Sequence, residues 1–457
     1  MKKTLTYLLI TVVAMALIAG VYWSVSFLIN QDSEVIQSSQ PSASPEESVF
    51  SNEDNTVYQA PPKVIFSFSW DDAAFSLQSE NWYQNLGSGG YHQVSGIESS
   101  QEADNTILTS DETISFSYDT EPDSIIYEVF DQNTDTLVLS EETTDSTIPV
   151  MSEQGDYLYV ITFLWNDDHR LYTGEYRYTL PLFVDLPAYF EFSKLSVKQG
   201  DFIKITAYNV NDDQVPVVNQ SVFNRFKLFK SGYTYEGFLP AGYYTGKGTY
   251  ELEYGFLGEP LLKESLTVLP YDFKIQYLWI NETLAAATKN DESSAEYNKY
   301  FSPTRWQSNE QAYYTESFVL PATGHLSTEF GENRYTNGLP TSYHHSGLDI
   351  GNEIDSPIYA TNRGKVVLSM YLIMTGNTIV IDHGQGLFSV YFHMNSTIAK
   401  EGDMVERGEQ IGYMGTTGFS TGSHLHFTMS FFDTNIDPGY LLVGEPITKE
   451  NAEEYLN

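Results

Sequence analysis

The run His424-Leu425-His426-Phe427 constrains this chain more than any other stretch. In extended backbone, residues two apart project to the same face, so the two imidazoles look into one cleft while Leu425 and Phe427 enter a core. A β-strand is therefore required at that point. Three more residues of the same chemistry stand upstream: His345 and Asp349 in His-Ser-Gly-Leu-Asp, and His393 after Tyr391-Phe392. Gly347 lies between His345 and Asp349 and Gly351 follows, which predicts a loop or strand entrance rather than a helix. Histidine and carboxylate bind zinc, and such a set can hold the ion with three ligands while a fourth position stays open for water. The chain has no Cys, so any zinc site must use nitrogen and oxygen donors. One imidazole of the His424/His426 pair would bind the ion while the other stands beside it.

Four segments carry a family resemblance when taken in order: Thr341-Ser342-Tyr343-His344-His345-Ser346-Gly347-Leu348-Asp349, Ile381-Asp382-His383-Gly384, Tyr391-Phe392-His393-Met394, and the run from Gly418 to Phe427. Together they resemble the lysostaphin and LytM family of zinc endopeptidases over about residues 320 to 440, and several ordered motifs are far more specific than any one. The resemblance implies that His345, Asp349 and His426 bind Zn2+, that His393 and His424 are the catalytic histidines, and that the substrate is the peptide part of bacterial peptidoglycan. One departure is visible: Thr428 stands where many members carry Glu after the His-Leu-His-Phe run. That Glu is not a metal ligand in the family pattern, so the change bears on fine positioning.

The chemistry follows from the ion, which lowers the pKa of bound water to about 7 and polarises a carbonyl as a Lewis acid. No His-Glu-x-x-His motif is present, so proton transfer falls to His393 and His424, whose individual roles the sequence leaves open. The other histidines carry bland readings. His92, His169 and His325 read as surface or satisfied core residues, His344 as a rim residue on the opposite face from His345, and His383 as part of a structural turn. Arg334 reads either as a cleft residue facing a substrate carboxylate or as a surface ion pair. The Gly402 to Gly412 stretch resembles biotinyl and lipoyl carrier hairpins, but no Lys sits at a plausible tip.

Location comes from the N-terminus. Lys2 and Lys3 precede an uncharged, mostly apolar run from Leu5 to Ile29, long enough for the roughly 20 residues that span a bilayer. Ala14-Met15-Ala16 and Ala19-Gly20 offer cleavage sites, yet the run continues past them, which favours an uncleaved signal anchor over a secretory leader. The expectation is a single-pass membrane protein of Gram-positive type with its C-terminal domains outside the cytoplasm. A net charge of -38 argues against nucleic acid as a partner. The region before residue 320 holds 45 acidic and 17 basic side chains, against 16 and 6 after it, so the upstream part carries most of the acidity. Self-repulsion that keeps it off anionic wall polymers, or adaptation to salt or high pH, would account for this.

The predicted fold is mainly β: an N-terminal transmembrane helix, two Ig-like β-sandwich domains and a C-terminal antiparallel β LytM-type peptidase domain. Residues 1–30 form the anchor and the Ser-, Gln-, Glu- and Pro-rich 31–62 a disordered linker. A β-rich domain follows over 63–188, with Tyr157 to Trp165 and Tyr176 to Leu180 as a hairpin, and an Ig-like domain over 189–270, with Phe202 to Tyr208 as an alternating strand. Residues 271–318 are a connector with a short helix from Glu282 to Lys289, and 319–445 the peptidase domain. Two function classes follow: a zinc endopeptidase that remodels the cell wall, and a non-catalytic LytM-like scaffold or activator in wall, division or sporulation assembly. The complete set of five residues favours the first.

Overall fold

The computed structural model describes residues 61–67, 76–85, 91–98, 106–108, 113–166, 172–223 and 225–456. The expected anchor, and all but the end of the expected linker, lie outside the described residues, as does His169. Among the described residues no helix is long and apolar enough to cross a membrane.

The chain is mainly β. In the first part, Gly155–Trp165 pairs antiparallel with Tyr172–Val184, setting Phe163 opposite Tyr176 and Tyr159 opposite Leu180. Aromatic side chains alternate inward there, so Trp82, Tyr159, Phe163 and Trp165 are fully buried in one cluster. Residues 189–269 build two four-stranded sheets that share a core of Val197, Ile203, Ile205, Leu239, Leu252, Leu266 and Val268. Phe202–Tyr208 buries Ile203 and Ile205 on either side of half-exposed Lys204, as alternation requires, but Thr206 and Ala207 are buried as well.

The C-terminal part is organised by an eight-stranded sheet. In order across it lie His325–Thr328, Leu348–Gly351, His424–Phe431, Leu387–Met394, Gly376–Gly384, Gly364–Leu372 and Met404–Val405, with Thr434–Ile436 added beside His424–Phe431. The central strands are buried on both faces: Ile379, Ile381, Val390, Tyr391, Leu425 and Phe427 all lack solvent contact. Register then fixes the site. Asp349 is opposite His426 on one side and Phe392 is opposite His426 on the other.

Residues 271–318 are knitted into this sheet system instead of hanging free. Ile275–Leu278 runs parallel to Asn333–Thr336 as a strand. The Glu282–Thr288 helix starts where Asn281 Oδ1 accepts from the Thr283 and Leu284 N–H groups, and Asn290 caps the next helix, Asp291–Glu296, through a reciprocal bond with Ser293. Farther on, Ser308 and the Asn309 N–H both bond the carboxylate of Asp382. The connector is thus pinned on two sides of the peptidase sheet.

The unit over 189–269 also packs on that sheet. Phe202 and Phe238 meet Phe431 with ring centroids 5.0 and 4.5 Å apart. Beside them Asp437 donates its N–H to Gly200 O at 2.8 Å, and its Oδ1 accepts from the Gly439 N–H at 2.9 Å. Burial, with Glu329 and Asp201 nearby, pushes the Asp437 carboxyl up to about 7. An unfolded Asp titrates near about 3.9, so between the two values the folded chain holds a proton that the unfolded chain has released. Wild-type stability contributed at this joint is therefore lost as pH rises from about 4 through about 7. Asp437→Asn keeps the acceptor and removes the titration. Its thermal unfolding, compared with wild type at about pH 5 and about pH 8, is expected to show a stabilisation that grows with pH, at most on the order of 4 kcal/mol; an equal difference at both would contradict the assignment.

Candidate metal centre

Each of the three central side chains is placed by a different local cause. His345 follows the Leu339–His344 strand, and its backbone is clamped by bonds from its N–H to Glu332 O at 3.0 Å and from the Gly331 N–H to its carbonyl at 2.8 Å. Gly347 lets the loop press against the neighbouring strand, since a Cβ there would sit 1.9 Å from Phe427 O. Asp349 and His426 then face each other across paired strands.

Three atoms meet. His345 Nε2 is 2.8 Å from Asp349 Oδ1 and 2.9 Å from His426 Nδ1, and His426 Nδ1 is 2.8 Å from Asp349 Oδ1. The outer nitrogens decide what these atoms carry. His345 Nδ1–H donates to Glu329 O at 2.9 Å, leaving a lone pair on Nε2. His426 Nε2 lies 2.9 Å from Ser346 Oγ and 3.1 Å from Thr428 Oγ1; in the tautomer where these hydroxyls accept its N–H, Nδ1 carries a lone pair. Two imidazole lone pairs and a carboxylate oxygen therefore converge on one buried point, an arrangement that a divalent cation satisfies.

A proton is a poor substitute for that cation. Burial pushes the His426 imidazole down to about 4, against the pull of Asp349, and burial likewise lowers His345. Burial also opposes the charge on Asp349, but the facing histidines hold its carboxyl well below the usual carboxylate range. The ligands are thus neutral, neutral and negative at pH 7, the states in which they bind a metal. Arg334 adds orientation: its Nη2 is 3.3 Å from Asp349 Oδ2 and its Nε donates to Gln276 Oε1 at 2.9 Å. The guanidinium occupies one carboxylate oxygen and leaves Oδ1 for the other ligands. It is half-buried, lines the cleft and is ion-paired with Asp349.

The two remaining histidines stand beside this triangle. Their rings are 4.9 Å apart, and His424 Nε2 is 3.8 Å from Asp349 Oδ1. His393 Nδ1–H donates to Thr417 O at 2.8 Å and His424 Nδ1–H to Gly422 O at 2.9 Å, so both present Nε2 lone pairs. Burial, followed by the neighbouring His424 and His426, pushes His393 down to about 3 and keeps it neutral. Its backbone has φ +64°, a left-handed conformation that costs a non-glycine residue about 1 to 2 kcal/mol. All five sequence-predicted residues are therefore brought together. Of the other histidines, His383 is fully buried and bonded to Arg363 O and Ser389 Oγ, while His344 is half-buried, packs against Tyr243, Tyr244 and Phe273 and lines the edge of the cleft.

Sequence reasoning missed Ser346 and Thr428 as the acceptors of His426. The signal was present in two places, the Ser after His345 and the Thr two residues beyond His426, which shares its strand face. It also missed Lys289, whose ammonium reaches Tyr343 OH at 2.9 Å from the connector. Nothing local in a helix-terminal Lys announces that contact.

This fold and this donor set define a metallopeptidase-type domain. Residues 343–438, which contain all five histidine and aspartate positions, match the model of Peptidase family M23, so the chain carries a LytM-type M23 domain. An uncharacterized metalloprotease of Buchnera aphidicola is 32% identical over 132 residues, covering 29% of this chain and 35% of that protein. Peptidoglycan DD-endopeptidase ShyA of Vibrio cholerae is 38% identical over 114 residues, covering 25% of this chain and 26% of that protein. The chain thus spans about a third or less of the length of these curated relatives. Among solved structures, the catalytic domain of lysostaphin from Staphylococcus simulans is 27% identical and covers 28% of this chain and 89% of that one, with a TM-score of 0.21.

Outer-shell acceptors of a metal-bound imidazole fix its tautomer, and their loss costs about 10- to 100-fold in affinity. Ser346→Ala combined with Thr428→Val is expected to weaken zinc binding by about that factor, read by competition with a chromophoric chelator, with the melting temperature as a control for folding. Unchanged affinity would show that the two hydroxyls do not set the tautomer.

Proposed function

We propose that this chain is a membrane-anchored zinc endopeptidase that hydrolyses peptide bonds in bacterial peptidoglycan on the outer side of the membrane. The observation that carries the reading is the convergence of His345, Asp349 and His426 on one buried point with two further imidazoles beside it. The match to the M23 model and the names of relatives such as the DD-endopeptidase ShyA support it. In this reading His345, Asp349 and His426 hold zinc. The ion supplies Lewis acidity and a water whose pKa falls to about 7.

The protein's own groups supply the rest. His393, neutral and fixed by Thr417, accepts a hydrogen bond from the attacking water and orients it. His424 has more contact with solvent and exchanges the proton that the departing amine requires. Arg334 holds the Asp349 carboxylate in place and compensates its charge. The anchor of residues 1–30 and the linker of 31–62 tether the molecule. Units over 63–188 and 189–270, both Ig-like, form its stalk, 271–318 joins stalk to enzyme, and 319–445 is the peptidase.

His424→Ala leaves the three metal-binding residues intact, so the variant is expected to retain zinc while peptide release from purified sacculi falls by about 10²- to 10⁴-fold. Chelation should abolish release by wild type and added zinc restore it, with mass spectrometry of the fragments naming the bond. A wild-type protein that binds zinc and releases nothing would leave the scaffold role instead.

A further inference from the structure

Two hollows meet at the metal-binding residues and share Arg334, His393, Phe419 and His426. They differ in chemistry. The first, of about 310 Å³, is lined by neutral polar residues, Gln276, Ser327, Thr328, Ser420, Thr421 and Ser423, and its charged side chains are the already paired Arg334 and Asp349. The second, of about 620 Å³, adds Lys289 from the connector. A peptide crossing the site would rest one half on neutral polar residues and the other beside a cation.

Lys289 is held there by the fold. It closes the Glu282–Thr288 helix through its own N–H to Ala285 O at 2.8 Å. Its ammonium lies 3.9 Å from the centre of the Phe419 ring and 4.5 Å from that of Tyr343, and donates to Tyr343 OH. Aromatic faces steady a charge without using its N–H donors, so of three donors one is engaged. Lys274 and Lys449 pair with carboxylates, but among the described residues Lys289 has only these neutral partners. Asp291 lines the same hollow and offsets part of the charge. Behind Asn435, which also lines it, Arg305 is buried with neutral hydrogen-bond partners, Ser430 and Asn435. In a chain with 61 acidic and 23 basic side chains, this end of the cleft runs against the overall charge.

We propose that the Lys289 end of the cleft is a carboxylate subsite, so that the protein selects peptides carrying a free acid group on that side of the metal-binding residues. This rests on the peptidase reading above and names its substrate class. Lys289 donates its spare N–H groups to the acid while Tyr343 and Phe419 hold the ammonium over the cleft floor. Because Lys289 is exposed, the preference is modest and weakens with salt.

The test uses the full chain loaded with zinc and two fluorescent stem-type peptides, one with free acid groups and one with the same groups as carboxamides. The acid is expected to bind about three- to tenfold tighter by anisotropy, with the gap shrinking in about 0.5 M salt. Lys289→Met should close the gap by weakening the acid, Lys289→Arg should keep it, and Lys299→Met, on the same segment but not lining the hollow, should leave it intact. Equal affinity for acid and amide in wild type would overturn the proposal. So would stronger binding of both peptides by Lys289→Met, which would make the ammonium an obstruction. Hydrolysis is read separately: acid preference without cleavage would sink the peptidase reading alone, and cleavage without acid preference the subsite alone.

Discussion

The pairing of Leu348–Gly351 with His424–Phe431 is the constraint from which the rest of the site follows. It sets Asp349 opposite His426, and Gly347 lets the preceding turn bring His345 against both. The result is electrostatically one-sided, with acceptor atoms from three side chains facing one another at 2.8 to 2.9 Å. Such a cluster costs free energy unless a cation lies among the acceptors, because buried lone pairs without a donor are poorly tolerated. The surroundings are built to keep it that way. Glu329 O draws off the outer N–H of His345, Ser346 and Thr428 share that of His426, and Arg334 occupies the outer carboxylate oxygen.

Much of this was legible in the sequence because period-two alternation is a local property. Leu425 and Phe427 are fully buried and the flanking imidazoles share a face, as the spacing demands. The glycine after Ser346 likewise pointed to a turn. Other features were out of reach because they are set by pairing between distant segments. No spacing rule joins Gln276 to Arg334 or Lys289 to Tyr343, which lie 58 and 54 residues apart. The absence of Glu at position 428 was visible, but not that Ser346 would join Thr428 and give His426 two hydroxyl acceptors. A neutral hydroxyl pair orients the imidazole without lending it the negative charge a carboxylate would add, so the ion keeps more of its Lewis acidity.

Residues 271–318, read from the sequence as a connector, pack against the sheet that carries the site. Some of its large apolar side chains, Tyr277 and Trp279 among them, stay exposed, while others are used in packing. Ile280 and Phe301 are buried, and Phe301 packs its ring 5.3 Å from Phe392, which itself stacks on His426. Through that contact the connector bears on the metal-binding imidazole itself, and the wall it provides is part of the cleft. The unit over 189–269 is fixed to the opposite end of the same strand, where Phe202 and Phe238 clasp Phe431. One strand, His424–Phe431, thus carries His424 and His426 at its start and the contact with the 189–269 unit at its end.

Charge completes the logic. An acidic molecule is repelled by anionic polymers at distances up to the Debye length, about 8 Å at physiological salt, and beyond that range the repulsion fades. Only groups inside the cleft are close enough to reverse its sign for an anionic peptide. The candidate metal-binding residues, Arg334 and the exposed Lys289 lie together there, beside the aromatic side chains of Tyr343, Phe392 and Phe419. If the cleft takes an anionic peptide as proposed, an acidic exterior would confine the attraction to that cleft. Specificity of this kind depends on the contrast between surface and cleft, and the contrast is written into the chain as an excess of carboxylates outside and a few well-held cations within.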